Sequence, residues 1–201
     1  MPTSEKVHVE TPLSQALFKL LGELEARLGL TSDVRVYLAG GMATHLYTGH
    51  RSTSDIDAEF SERFLVPHDL VIEFDHEDGQ RQALYIDTTY NPSFSLMHPD
   101  RYQDAEPIKA YTGKFKLFAL SAVDLALSKI TRLSQIDKED ILSLAMAGLV
   151  SSIDLRNRAD EALADCIGFP AGLGQNILDA IEIIRAEEQS IEQERHKNSE
   201  R

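Results

Sequence analysis

From Thr11 to Leu30 apolar residues recur at helical spacing. Leu13, Leu17, Leu20, Leu21, Leu24 and Leu28 fall on one face, and Thr11-Pro12 supplies a helix start. The pattern then shortens. Val34 to Ala39 is a continuous, partly β-branched apolar run and predicts a buried strand. Met42 to Tyr47 predicts a short helix ending near Gly49, and Ile56 to Phe60 a second strand. "DLVIEF" and "QALYIDTTY" are strand-like, and the Asp-Gly in "DHEDGQ" between them predicts a hairpin. "EPIKAY", "TGK" and "FKLFAL" predict another. From Ser121 the period becomes helical, in "SAVDLALSKITRL", "DKEDILSLAMAGL", "DLRNRADEALADCI" and "GQNILDAIEIIRAEEQSIEQER". Ser121 is the expected N-cap of the first, with Asp124 as its capping-box partner, and the charged end of the last is expected to fray. The order predicts an α+β fold, a mixed sheet followed by a helical C-terminal half. The expected division is 1–120, the N-terminal helix and sheet, and 121–201, helices packed on that core.

The bulk properties narrow the class. A chain of 201 residues, 42% hydrophobic, can bury a real core. No apolar run approaches the ~20 residues of a membrane helix, so no membrane partner is expected. "MPTSEKVHVETP" has no apolar leader, and the single cysteine, Cys166, cannot form an internal disulfide; both predict a cytoplasmic protein. Cys166 lies in the apolar helical pattern "EALADCIGF" and reads as a buried bystander. The net charge of −13 argues against broad nucleic-acid binding, while leaving room for a local basic groove or a basic protein partner. The seven histidines include no His-Glu-x-x-His pair, which argues against a zinc site; His45 and His50 read as ordinary polar residues.

The chemistry concentrates in "YLAGGMATHLYTGHRSTSDIDAEF", Tyr37 to Phe60. On a strand, Asp55 and Asp57 share a face, with Cα atoms roughly 6–7 Å apart. Two carboxylates on one face repel, and a hard divalent cation such as Mg²⁺ relieves that cost. Gly40 and Gly41, between a strand and a helix, would let a phosphate approach the backbone amides at the helix N-terminus. Ser52, Thr53 and Ser54 add hydroxyls just before the aspartates. Alone, a Gly-Gly is a tight turn and an Asp-x-Asp a solvated face; in this order they point to one triphosphate and its metal. No Lys-Ser or Lys-Thr follows the glycines, and no third glycine, which argues against a Walker loop and a dinucleotide fold.

"LAGGMATHLYTGHRSTSDID" resembles the signature of the polymerase-β-like nucleotidyltransferase superfamily, and most of all the minimal prokaryotic members of the abortive-infection and toxin–antitoxin type. The resemblance runs from about Val34 to about Leu144. It implies a mixed-sheet core, two Mg²⁺ ions (with Mn²⁺ as an alternative), an NTP, and transfer of a nucleotidyl group to a hydroxyl of a tRNA 3′ end, a protein or a small molecule. An antitoxin protein would be a further partner. The pattern also implies a third carboxylate on a neighbouring strand. Asp87 in "LYIDTTY" fits, with Glu73 and Asp75 as substitutes. The catalytic and metal-binding set is then Asp55, Asp57 and Asp87. Nucleotide binding falls to Gly40, Gly41, Ser54 and, by position in the helical half, Lys129 and Asp140. No motif marks the acceptor site; Arg51, Lys114, Lys116 and Arg132 would form a basic rim or remain scattered surface charge. The loop "YNPSFSLMHPDRYQ" either borders the base or is simply packed.

Two other classes compete with an enzyme. A non-catalytic module would keep the fold and bind a nucleotide or a partner. A structural scaffold would gain stability on loss of Asp55 or Asp57 and change in no other way.

Overall fold

The computed structural model describes residues 7–76, 78–165, 168 and 170–199, so Cys166 lies outside the described residues. The fold is α+β, and the chain divides into two compact units. One comprises the chain up to Tyr90 together with Tyr102–Ser121, and the other Asn91–Arg101 together with the chain from Ala122 onward.

The first unit opens with helix α1, Pro12–Leu28. Thr11 accepts a hydrogen bond from the Ser14 amide, Pro12 occupies the first turn, and Gly29 closes the helix in the left-handed region. Leu13, Leu17, Leu20, Leu21 and Leu24 are all buried, as their spacing requires. Strand β1, Val34–Leu38, leads directly into helix α2, Gly40–Thr48. The helix therefore begins at the glycines, two residues before its predicted start.

The predicted strand Ile56–Phe60 is two strands in two sheets. β2, Asp55–Ile56, pairs in parallel with β5, Arg81–Ile86, which pairs antiparallel with β4, Val71–Asp75. β3, Ala58–Phe60, pairs antiparallel with β1. β1 also pairs in parallel with β7, Phe115–Ala119, beside which the short edge strand β6, Glu106–Pro107, runs antiparallel. The sheet orders are β3-β1-β7-β6 and β2-β5-β4. The chain changes sheets at Asp57. The Ser54 and Ile56 carbonyls accept from the Tyr85 and Asp87 amides at 3.0 Å, whereas the Asp57 carbonyl accepts from the Ala39 amide at 2.8 Å.

Both predicted hairpins form. In the β4–β5 connection Gly79 takes a left-handed φ of 80°, and Asp78 Oδ1 accepts from the Gln80 amide. β6 is shorter than expected, although the Ile108 amide beyond it still bonds the Leu117 carbonyl at 2.9 Å; Pro107 is tolerated because β6 is an edge strand. The wide loop that follows is tied to α1 through Glu25, which accepts from the Tyr111 hydroxyl and from the Lys114 and Phe115 amides. Burial alone would raise the Glu25 carboxyl, but these donors hold it below its ordinary value, while burial and the Glu25 bond push the Tyr111 phenol up.

The second unit contains helices α3 Ala122–Lys129, α4 Gln135–Met146, α5 Ser152–Ala164 and α6 Leu173–Ser199. α6 remains helical through the charged segment where fraying was expected. Its buried stripe is Leu173, Ile177, Ala180, Ile181 and Ile184. Each buried acid of this unit meets a cation. Asp124 takes both arms of Arg158 at 2.7 Å, Asp140 takes Lys129 at 2.6 Å, and Asp137 takes Arg132 at 2.7 and 2.8 Å. Asp137 also completes a capping box with Ser134. The segment 91–101 packs with these helices, with Leu96 and His98 buried and the Leu96 amide donating to Thr131 Oγ1.

Candidate active site

Three aspartates converge in the sheet unit. Asp55 starts β2, Asp57 lies at the crossing between the sheets, and Asp87 follows β5 directly. One carboxylate oxygen from each lies within 4.8 Å of the others, and all three residues are half-buried. At that separation, two unit charges repel by about 1 kcal/mol in water and about 3–4 kcal/mol at an effective dielectric of 20. The site thus concentrates negative charge while keeping a solvent-facing side.

Local hydrogen bonds orient two of these carboxylates. Thr53 Oγ1 donates to Asp55 Oδ1 at 2.6 Å. Asp87 Oδ1 accepts from the Thr89 amide at 2.7 Å and the Thr89 hydroxyl at 2.6 Å, an Asx turn just past the strand end. Thr89 has a signal in the sequence, an Asp-x-Thr at a strand end, but one too common to select it. Glu73 bonds Arg81 across the hairpin and, like Asp75, is not part of the three-acid cluster.

The glycines have an unexpected neighbour. Gly40 has φ +56°, and a Cβ there would lie 1.8 Å from Asp57 Oδ2. A Cβ on Gly41 would lie 2.8 Å from Thr53 Oγ1. The space anticipated for a phosphate is used first by the chain itself, to seat the aspartate segment on the first turn of α2. That turn has Ala39 at its N-cap, which offers no capping side chain. First-turn amides lack intrahelical partners and favour anions.

His45, read as an ordinary polar residue, is buried on α2. Its Nδ1 bonds the Arg51 carbonyl and its Nε2 the Thr11 hydroxyl, both at 2.7 Å. It pins the loop that enters Ser52–Asp55, and no local sequence pattern exposes that role. Beyond the loop, Arg51, Ser52, Thr53, Ser54 and Asp55 line an open depression with Gln82, Ala83 and Tyr85 of β5. Ser54 is exposed at its edge.

Lys129 and Asp140 belong to the helical unit, where they are buried and paired with each other at 2.6 Å. Of the basic rim, Lys114 and Lys116 lie 4.0 and 3.5 Å from Asp33, and Arg132 serves Asp137.

A half-exposed set of three carboxylate oxygens suits Mg²⁺ or Mn²⁺, which take oxygen ligands and keep positions open for water and phosphate.

No helix among the described residues is long and apolar enough to cross a membrane. No curated protein and no solved structure matches the chain. A family model described as "Nucleotidyltransferase of unknown function (DUF6036)" matches residues 15–169, most of the sequence and all of the sheet unit's acidic cluster. The chain therefore belongs to this nucleotidyltransferase family.

Proposed function

We propose that the protein transfers a nucleotidyl group from an NTP to a hydroxyl acceptor in a divalent-metal-dependent reaction of the polymerase-β-like type. The convergence of Asp55, Asp57 and Asp87 beside the first turn of α2 carries this reading. The acceptor oxygen forms a bond to the α-phosphorus, the bond from that phosphorus to the bridging oxygen breaks, pyrophosphate leaves, and the proton of the acceptor hydroxyl passes to solvent water. Asp55, Asp57 and Asp87 would hold Mg²⁺, which when bound supplies charge neutralisation on the triphosphate and lowers the pKa of the acceptor hydroxyl. Thr53 and Thr89 fix two of the carboxylates before substrate arrives, so little reorganisation remains for the reaction step. Gly40 admits Asp57 to the helix start, and the α2 amides and Ser54 offer donors to phosphate oxygens.

The acceptor class follows from the sequence resemblance: a tRNA 3′ end, a protein or a small molecule. The same resemblance supports a toxin role in the cytoplasm with a protein antitoxin. Growth arrest on expression that requires Asp57 would support it, and unimpaired growth would remove it.

The deciding assay incubates each α-labelled NTP with Mg²⁺ and total cell RNA and protein, beside Asp55→Asn and Asp57→Asn. Label incorporated by the wild type alone is the expected result. No incorporation into any fraction, with metal-dependent NTP binding retained, would favour the binding module. No NTP binding at all would overturn the reading.

A further inference from the structure

On β1 and β7 the buried residues Val34, Val36, Leu38, Phe115, Leu117 and Ala119 alternate with residues of the opposite sheet face. Those opposite positions begin with exposed Arg35 and Lys116, the charged pattern of a solvated face. One step along, the pattern breaks: the next register pair is Tyr37 and Phe118, stacked at 5.3 Å with 25° between the rings. Tyr102 adds a third ring 4.6 Å from Tyr37. Its hydroxyl donates to Glu59, the register partner of Tyr37 on β3, and so fixes the Tyr102 ring. All of these groups are half-buried and keep surface exposed.

This aromatic level lies one step from the acidic cluster. The Ala39 amide bonds the Asp57 carbonyl immediately beyond the Tyr37–Glu59 pair. Asp57 directly precedes β3, two residues from Glu59, so its Cα lies within roughly 7 Å of the Glu59 Cα. A nucleotide has the same layout, a phosphate and a flat ring separated by one sugar. Bases stack on aromatic side chains irrespective of sequence, because every base has a π-face.

Resting on the nucleotidyl-transfer reading, we infer that Tyr37, Tyr102 and Phe118 form the platform on which a nucleobase stacks while its nucleotide's phosphate lies at Asp55, Asp57 and Asp87. The base comes from the donor NTP or from a nucleic-acid acceptor, and the platform has the same chemistry for both.

The test measures binding of inorganic tripolyphosphate and of each NTP in Mg²⁺ by calorimetry, and acceptor KM and kcat in the label-transfer assay. Wild type is compared with Tyr37→Ala, Tyr102→Ala and Tyr37→Leu, the last retaining apolar bulk without a ring; circular dichroism checks folding. A donor base predicts that wild type prefers at least one NTP over tripolyphosphate by about tenfold or more. Tyr37→Leu would erase that margin and leave tripolyphosphate affinity intact, and Tyr37→Phe would restore most of it. An acceptor base predicts a margin that survives, with acceptor KM raised about tenfold and kcat little changed. Folded ring variants that alter neither the NTP margin nor the acceptor KM would overturn the inference while leaving the transfer reaction standing. A wild type that binds neither NTP nor tripolyphosphate would overturn the transfer reading, and this inference with it.

Discussion

The two units treat carboxylates in opposite ways. In the helical unit Asp124, Asp137 and Asp140 are buried, and each is met by a cation from a neighbouring position, Arg158, Arg132 or Lys129. In the sheet unit Asp55, Asp57 and Asp87 are half-exposed and drawn together, with hydroxyl and amide donors holding Asp55 and Asp87. A buried acid without its cation leaves an uncompensated charge, so the helical pairs are demanded by the packing. Three acids drawn together raise the energy of the fold instead, and a bound cation reverses that sign. Three aspartates are thus neutralised by cations within one unit, and three in the other are gathered together, Asp55 and Asp87 on hydroxyl and amide donors, the arrangement on which the proposed chemistry rests.

Substitutions should break this contrast in opposite directions. The largest expected effect is on activity: Asp57→Asn should lower nucleotidyl transfer by about a thousandfold or more, the scale on which transition-state charge stabilisation is lost. The same change relieves repulsion, so the metal-free Tm should stay level or rise; label-transfer kinetics and thermal denaturation check the two halves. Asp124→Asn should act the other way, costing about 3–5 kcal/mol because Arg158 keeps a buried charge without its partner. Urea denaturation measures it, and a loss below 1 kcal/mol would mean that the pair is not needed by the packing.

Gly40→Ala comes next. Its Cβ would collide with Asp57 Oδ2 at 1.8 Å, at a φ of +56°. A destabilisation of about 1–3 kcal/mol is expected, accompanied by weaker Mg²⁺ binding because Asp57 must move. Gly148, also at positive φ but with open space where a Cβ would stand, is the control: its alanine should cost stability alone.

The smallest effect is in the pH dependence. Burial opposes ionisation of Asp137, but Arg132 and Ser134 prevail and hold its carboxyl below its ordinary value of 3.8. The unfolded chain binds this proton first, so the group contributes stability above that value and loses it as pH falls through the lower folded value. Acid titration of stability should therefore flatten below about pH 4 in Asp137→Asn relative to wild type, with no change in the pH dependence of Mg²⁺ binding.

Much of this was legible in the sequence, for physical reasons that differ by element. The leucines of α1 and the strands β4 and β5 obey one-dimensional periods, 3.6 and 2, that survive any tertiary arrangement. The Gly-Gly and Asp-x-Asp could be read because their chemistry is unusual in combination. The route by which they meet could not. Alternation within one strand predicted that Asp55 and Asp57 share a face, whereas the chain brings the two carboxylates together by changing sheets at Asp57. No sequence period encodes a transfer between ladders. The Lys129–Asp140 pair was equally hidden, since it depends on the turn at Leu133, a non-glycine residue at φ 43°. The rings of Tyr37 and Phe118 looked like ordinary strand residues until their register set them side by side.

The brevity of β2 has a consequence for how the protein can be watched. Its ladder with β5 spans only two register pairs, and the Tyr85 and Asp87 amides bond the Ser54 and Ile56 carbonyls at its two ends. When these open, the Asp87 side of the cluster parts from the Asp55 side, while the long α1 and β1 remain folded. Hydrogen exchange at the Tyr85 and Asp87 amides is therefore a clock for assembly of the site, running independently of global unfolding. A cation that ties the three carboxylates should slow that clock at these two amides first.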